Sequence, residues 1–446
     1  MDIDELVEAR WVVPIEPAGV VLEDHAIAIN DGSIAALLPI ATARERFQAR
    51  RVTQLPHHAV IPGLINLHTH AAMALLRGVA DDLPLMEWLQ TRIWPLEQAL
   101  MSYDFVLAGT RLACLEMLRG GVTCFNDMYF FPDAAAAAVL EVGMRAALGI
   151  TVIDFPTAWA NDADDYLNKG LAVRDAQRDE ALLSFCLAPH APYTVGDATF
   201  ERLATLAEQL DIPLHLHLHE TATEIEEEVA RRGTRPIARL DQLGLIGPRL
   251  IAVHCVHLSP GEIALFAERG VTVAHCPASN LKLASGIAPI AALLDAGVAV
   301  GIGTDGAASN NRLDICAEMR LAALLAKGTS GRADLFGAHH ALRAATLSAA
   351  RALGLERRIG SLEVGKEADM AAFDLSALEL QPCFDAAAHL VFAAGREHVC
   401  DVWVRGERVV EKRQFVRDAA KQAASEGASA LALWQNRVKN RIGSVP

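Results

Sequence analysis

From Val60 onward, short runs of apolar residues rich in Val, Ile and Leu alternate with longer stretches whose apolar positions recur at helical spacing. That alternation predicts a parallel sheet with crossover helices. Eight such runs follow one another: "VIPGLINLH", "GVTCFNDM" from Gly121, "RAALGITV" from Arg145, "LLSFCLAPH" from Leu182, "IPLHLHLHE" from Ile212, "LIAVHCVHL" from Leu250, "VTVAHCP" from Val271 and "VAVGIGTD" from Val298. Eight β/α units predict an α/β fold of the (β/α)8 TIM barrel type, here over residues 58–360. Residues 1–57 instead alternate as short strands with an Asp31-Gly32 turn, and the same texture returns over 361–416 in "GSLEVGKEADMAAFDL" and "HVCDVWVRGERVVEK". Two β-rich halves flanking a barrel most simply pair into one small β-sandwich domain built from both termini. Residues 417–446 carry an amphipathic pattern and predict a C-terminal helix. The stretch 71–97 is long for a first βα connection, and its Trp88 and Trp94 suit a lid over a pocket.

Charge narrows the choice of partner. With 40 basic and 55 acidic residues the formal charge is −15, and no dense basic block is present. Nucleic acid and anionic membrane are therefore poor partners. A hydrophobic fraction of 52% with only 5% aromatic residues predicts a core of Ala, Leu and Val and argues against disorder. The N-terminal "MDIDELVEAR" is acidic without an apolar core, and no apolar run is long and charge-free enough to span a bilayer, so a cytoplasmic location is expected. Eight scattered cysteines without a C-x-x-C pair read as reduced thiols rather than disulfides or a thiolate zinc site.

Most of the eight runs end on a polar residue: His68 and His70, Asp127, His190, His217 and Glu220, His254, His275, Asp305. In a (β/α)8 barrel the C-terminal ends of the strands form the face that carries active sites. Residues i and i+2 of a strand share a face, so His68 and His70 point the same way. In "PLHLHLHE", His215, His217 and His219 share one face of the predicted strand, where burial without a polar partner would cost ~2–7 kcal/mol each. His217 is the expected ligand, and His215 and His219 are expected as supporting hydrogen-bonding groups. Three neutral imidazoles with the Asp305 carboxylate suit Zn2+ with a position left open for water, with Fe2+ as the rival. Glu220, three residues beyond His217, is placed to reach that water, although an acidic residue also suits the start of the helix pattern that follows. The strand-end positions of His190 and His254 favour pocket roles for both.

These motifs carry a resemblance. "PGLINLHTH", "HLHET", "VHCVHL", "HCPASNLKL", "GTDGAASNN" and "GSLEVGKEADM", in this order over about residues 10–410, resemble the amidohydrolase superfamily. More narrowly they resemble its 5-methylthioadenosine/S-adenosylhomocysteine deaminase family, a neighbour of the triazine hydrolases. The resemblance implies a metal site of His68, His70, His217 and Asp305, with Glu220 as proton shuttle. It also implies a nucleoside pocket lined by Glu97, His190 and His254, and agrees with the terminal β-sandwich. Some superfamily members bridge two metals with a strand-four lysine. Between His70 and His217 the one lysine is Lys169, inside the polar "DDYLNKG", so one zinc per chain is expected.

The implied reaction is hydrolytic deamination of an adenosine derivative to the inosine derivative plus ammonia. Glu220, with Asp305, takes a proton as water attacks C6, and Glu220 passes it to the ring nitrogen while His254 stabilises the tetrahedral centre. The unrelated zinc deaminases need P-C-x-x-C, and "HCPASN" lacks it. A related hydrolase acting on a triazine, guanine or another N-heterocycle, or a barrel scaffold without catalysis, are the rival readings. The expected partner is a small nucleoside, with the chain as a homo-oligomer, a dimer or tetramer. After the third run, "TVIDFPTAWANDADDY" holds no arginine to clamp a homocysteine carboxylate, which favours 5′-methylthioadenosine or adenosine over S-adenosylhomocysteine.

Overall fold

The eight runs become eight parallel strands in the computed structural model, which describes residues 1–442. The strands are Leu64–Thr69, Val122–Asp127, Arg145–Val152, Leu183–Pro189, Leu214–Leu218, Leu250–His254, Thr272–His275 and Ala299–Ile302, and they neighbour one another in chain order. Nearly every residue in them is buried, as expected where helices cover a parallel sheet. The cylinder closes at the site itself. The amides of Thr304 and Asp305, just past the eighth strand, donate to the His68 carbonyl at 3.1 and 3.0 Å. Gly303 allows that approach, because a Cβ there would lie 2.9 Å from the His68 backbone nitrogen and Cβ.

Helix starts follow from sequence chemistry. Asp162 and Thr221 accept hydrogen bonds from the amides three residues on, and Ser259 with Glu262 forms a reciprocal capping box ahead of Pro260. Such caps fix where each helix begins, and so the length of the loops at the strand ends.

The terminal strands form a second, mixed sheet, eight strands wide among the described residues. Glu5 on strand Asp2–Val12 accepts from Trp403 Nε1 at 3.0 Å, yet Trp403 sits three strands away in the sheet order. A flat sheet would hold them about 14 Å apart. The sheet is therefore curled on itself, with Val7, Ile27, Val60, Met370 and Trp403 in the apolar layer. Ile3, Leu6, Ala43 and Phe47 belong to a separate cluster. This is the sandwich-like element expected from both termini.

By contacts the chain divides into two compact units, one of Met1–Asn66, Glu116–Cys124 and Asp314–Lys421, the other of Leu67–Leu115, Phe125–Leu313 and the chain from Gln422. The amphipathic tail is a helix, Asp418–Ile442, and residues 443–446 of the expected helix lie outside the described residues.

Candidate active site

His68, His70 and His217 meet as their positions at the strand ends require. Their ring centroids lie 4.9 to 5.3 Å apart, and one nitrogen from each falls within 4.8 Å of the others. His68 Nε2 and His70 Nε2 stand 3.2 and 3.3 Å from Asp305 Oδ1.

The far side of each ring is tied down. His70 Nδ1 donates to the Met128 carbonyl at 2.6 Å, His217 Nδ1 to the His190 carbonyl at 2.7 Å, and His68 Nδ1 lies 2.9 Å from His215 Nε2. The carbonyl partners put a proton on Nδ1 of His70 and His217 and so turn Nε2 of both inward. Asp305 is held as firmly. Its Oδ2 accepts from Ser279 and Ser309 at 2.6 and 2.7 Å, and its Oδ1 from the Gly306 amide at 2.7 Å. Asp305 and His254 have φ of +63° and +68°, strained backbone of the kind that clusters at functional sites.

His68 Nε2 is wholly buried and makes no hydrogen bond, although Asp305 Oδ1 is 3.2 Å away. Two lone-pair atoms aimed at one point want a cation between them. The electrostatics agree. Burial holds the His68 imidazolium down, to about 4, and keeps His217 far below its ordinary value, so both rings are neutral donors. At His70 burial also opposes the charge, but the Asp305 hydrogen bond and charge outweigh it and raise the ring to about 9. Burial alone would raise Asp305, yet His68 and His70 hold it well below the carboxylate range. Three imidazole nitrogens within 4.8 Å of one another, with the Asp305 carboxylate beside two of them, are a donor set that fits a divalent metal ion.

Glu220 sits beside this point, its Oε2 3.6 Å from His254 Nε2 and its Oε1 3.4 Å from the Ser285 hydroxyl. Burial raises its pKa. His254 stacks on His217 at 5.5 Å and is oriented by Asn280 at 2.8 Å. Glu97 accepts from the Tyr129 hydroxyl at 2.7 Å, and burial pushes it up to about 7. His190 is held through Thr194 at 3.1 Å.

His70, Glu97, His190, His217, Glu220, His254 and Asp305 line one cavity of about 1030 Å³. The connection 71–97 contributes to its wall: Met86, Trp88 and Leu89 border it together with Trp94 and Glu97. That segment includes a π-helical turn, Leu89–Ile93.

Two expectations change. Strand Leu214–Leu218 ends before His219, whose φ of +52° turns it away, so its Nε2 accepts from the Ile237 amide at 3.4 Å. His215 and His217 keep the inward face. Asp127 stays out of the cavity and accepts from the Ala71 amide at 2.7 Å, fixing the chain just after His70. Sequence reading missed Ser279, Ser309, Asn280, Ser285 and Tyr129. The signal for the first and third was present, since "PASN" directly follows the seventh strand.

Residues 59–409 match the amidohydrolase family profile. The chain belongs to the amidohydrolase family. It is accordingly a hydrolase of amidine C–N bonds. A 5-methylthioadenosine/S-adenosylhomocysteine deaminase of Saccharophagus degradans is 44% identical to this amidohydrolase over 441 residues, covering 99% of this chain and 98% of that one. The crystal structure of an adenosine deaminase of Xanthomonas campestris with bound zinc is 53% identical, with a TM-score of 0.96 over 98% of this chain and 99% of that one. A zinc-complexed atrazine chlorohydrolase of Arthrobacter aurescens is 25% identical, with a TM-score of 0.86 over 96% of this chain and 100% of that one.

Proposed function

We propose that this amidohydrolase deaminates an adenosine derivative, 5′-methylthioadenosine or adenosine before S-adenosylhomocysteine, to the corresponding inosine derivative and ammonia. The observation that carries the reading is the unpaired His68 Nε2 facing Asp305, with the buried Glu220 at the same cavity. His68, His70, His217 and Asp305 would hold one Zn2+, the metal bound in the similar adenosine deaminase. A divalent ion there supplies Lewis acidity and makes water a nucleophile near neutral pH.

Glu220 then acts as general base and acid. It accepts a proton from the water that attacks C6 and hands it to the ring nitrogen; the proton of the hydroxyl now on C6 passes to the exocyclic amine, which departs as ammonia as the C6 carbonyl forms. Its burial, which favours the protonated form, suits a group that must hold a proton between two transfers. His254, 3.6 Å from Glu220, stabilises the oxygen developing at C6, and Asn280 fixes its tautomer. Glu97 and His190, set by Tyr129 and Thr194, would receive the nucleoside through its ribose and base.

The remaining wall decides what the ribose 5′ position can carry. Met86, Met101, Phe130 and Phe155 give it apolar area, and the acidic Glu224, Glu227 and Glu228 stand at the same cavity. Arg145 donates inward to the Ala181 carbonyl at 3.1 Å and Arg174 pairs with Asp175 at 2.9 Å, so neither is offered to a substrate. Arg231 does reach the cavity lining, but its guanidinium is paired with Glu228. An apolar wall accepts a methylthio group, and with Arg231 already paired it offers a carboxylate no unpaired arginine among the described lining residues.

The eight cysteines are thiols without a disulfide, which suits a reducing cytoplasm, and no helix among the described residues is long and apolar enough to cross a membrane. A dimer or tetramer in solution belongs to the same proposal. Ammonia release from a panel of adenosine derivatives and guanine, with chloride release from a chlorotriazine, by the zinc-loaded protein tests the function. Turnover of the triazine or guanine above every nucleoside would overturn it.

A further inference from the structure

A second group of metal-ligating side chains meets in the terminal sheet. His58, Asp374 and Cys400 each offer a donor atom, and the three atoms lie within 4.8 Å of one another. They come from three neighbouring strands, Gln48–Pro62, Met370–Asp374 and Val399–Val404. Asp374 is the direct antiparallel partner of His58, which puts the two side chains on one face. Cys400 arrives through an irregularity. Ala372 faces Asp401 while Phe373 faces Val399, so Cys400 is the extra residue of a bulge. Bulges re-aim side chains, and this one turns a thiol toward the His58–Asp374 pair.

The chemistry around the cluster calls for a cation. His58 Nδ1 is buried without a hydrogen-bond partner, although native structures satisfy nearly all such atoms. The Cys400 sulfur is already supported by the Asp374 backbone N–H. Burial, then Asp374 and Asp401, push the Cys400 thiol up to about 11, so it stays a protonated thiol until a metal displaces the proton. Arg413 acts electrostatically on Cys400 and His57 on His58, while Arg408, 3.5 Å from Asp401, is shared with Glu5 and Glu411. His58, Asp374 and Cys400 are all partly exposed, so an ion can reach them from solvent. None of them takes part in the deaminase reading.

We propose that His58, Asp374 and Cys400 form a second binding site, for one divalent cation of the zinc class, with water completing a tetrahedral shell. The nitrogen, oxygen and sulfur donor set is one that zinc and cobalt accept. On binding, the Cys400 S–H bond breaks, its proton leaves to solvent, and a sulfur–metal bond takes its place. The site shares no residue with the barrel centre, whose donors are nitrogen and oxygen, and this difference makes it testable.

The full-length enzyme with its barrel site loaded with zinc is titrated with Co2+ and followed by near-ultraviolet absorbance. One further equivalent should bind with a thiolate-to-cobalt charge-transfer band, which the barrel donors cannot give even if cobalt exchanges into them. Cys400→Ser should abolish the band, and His58→Gln should weaken cobalt binding by about tenfold or more. The thermal midpoint and far-ultraviolet circular dichroism of both variants, measured without cobalt, report folding independently of any substrate. The proposal fails if wild type gives no such band up to millimolar Co2+, or if the band persists in Cys400→Ser. The wild-type titration decides the first point without any variant, and neither outcome bears on ammonia release.

Discussion

Both sheets bury polar side chains, but they treat them in opposite ways. In the terminal sheet, buried Glu5 accepts from Thr53 at 2.6 Å, Trp403 at 3.0 Å and Arg408 at 3.0 Å. Glu8 is gripped by Arg44 through two bonds of 2.6 and 2.7 Å. In the barrel, the imidazoles of His68, His70 and His217 are each anchored through Nδ1, and no backbone group or serine takes Nε2. His68 Nε2 has no hydrogen-bond partner, and Glu220 has only a long bond from Ser285 with His254 nearby. A saturated carboxylate spends its charge on holding strands together, whereas a half-satisfied one keeps it for a ligand. His58, with an open Nδ1 in the otherwise saturated sheet, stands out for the same reason.

If that contrast is right, substitutions in the two regions must fail in different ways. The largest effect is expected from His68→Ala or His217→Ala, which should remove both the metal and measurable deamination, whereas His219→Ala should keep the metal. Elemental analysis with ammonia release checks this. Two tightly held ions at the barrel centre would contradict a mononuclear site. Next, Glu220→Gln should retain the metal while kcat falls by roughly 10²–10⁴, the usual span for a general acid–base group. Near-wild-type turnover would move the shuttle to another residue.

In the terminal sheet, Glu5→Ala should leave kcat unchanged and cost stability instead. Breaking a buried pair costs about 3–5 kcal/mol, and the lower end applies because Arg408 keeps Glu411 at 2.8 Å. Urea unfolding measures it, and a loss of activity in the folded variant would break the contrast. The smallest effect concerns selectivity. An apolar wall whose Arg231 is paired to Glu228 should give about tenfold higher kcat/KM for 5′-methylthioadenosine than for S-adenosylhomocysteine, in line with one modest charge interaction. The reverse order would mean that Arg231 is released to clamp the carboxylate.

Much of this was legible in the chain itself. The eight apolar runs specify eight barrel strands, because a parallel sheet covered on both faces writes its burial as continuous apolar sequence. The two-residue period places His68 with His70, and His215 with His217, on inward faces without any knowledge of neighbours. The sequence also determined the donor types, and hence a borderline divalent metal rather than a phosphate or nucleic-acid site.

The tertiary structure decided what period and composition cannot carry. Where strand Leu214–Leu218 stops, and so that His219 leaves the inward face, depends on a positive φ set by the packing around it. Ser309, four residues beyond Asp305, and Ser279, from the helix that follows the neighbouring seventh strand, reach the same carboxylate, a pairing that the adjacency of the seventh and eighth strands creates. The curl that brings Trp403 onto Glu5 joins segments more than 300 residues apart, and the bulge that turns Cys400 toward His58 is a register shift against strand Met370–Asp374, which itself pairs with Gln48–Pro62 more than 300 residues away. Local sequence fixes which way a side chain points within its own element. What it meets there depends on the long-range strand pairing that gives each polar atom its partner or leaves it open.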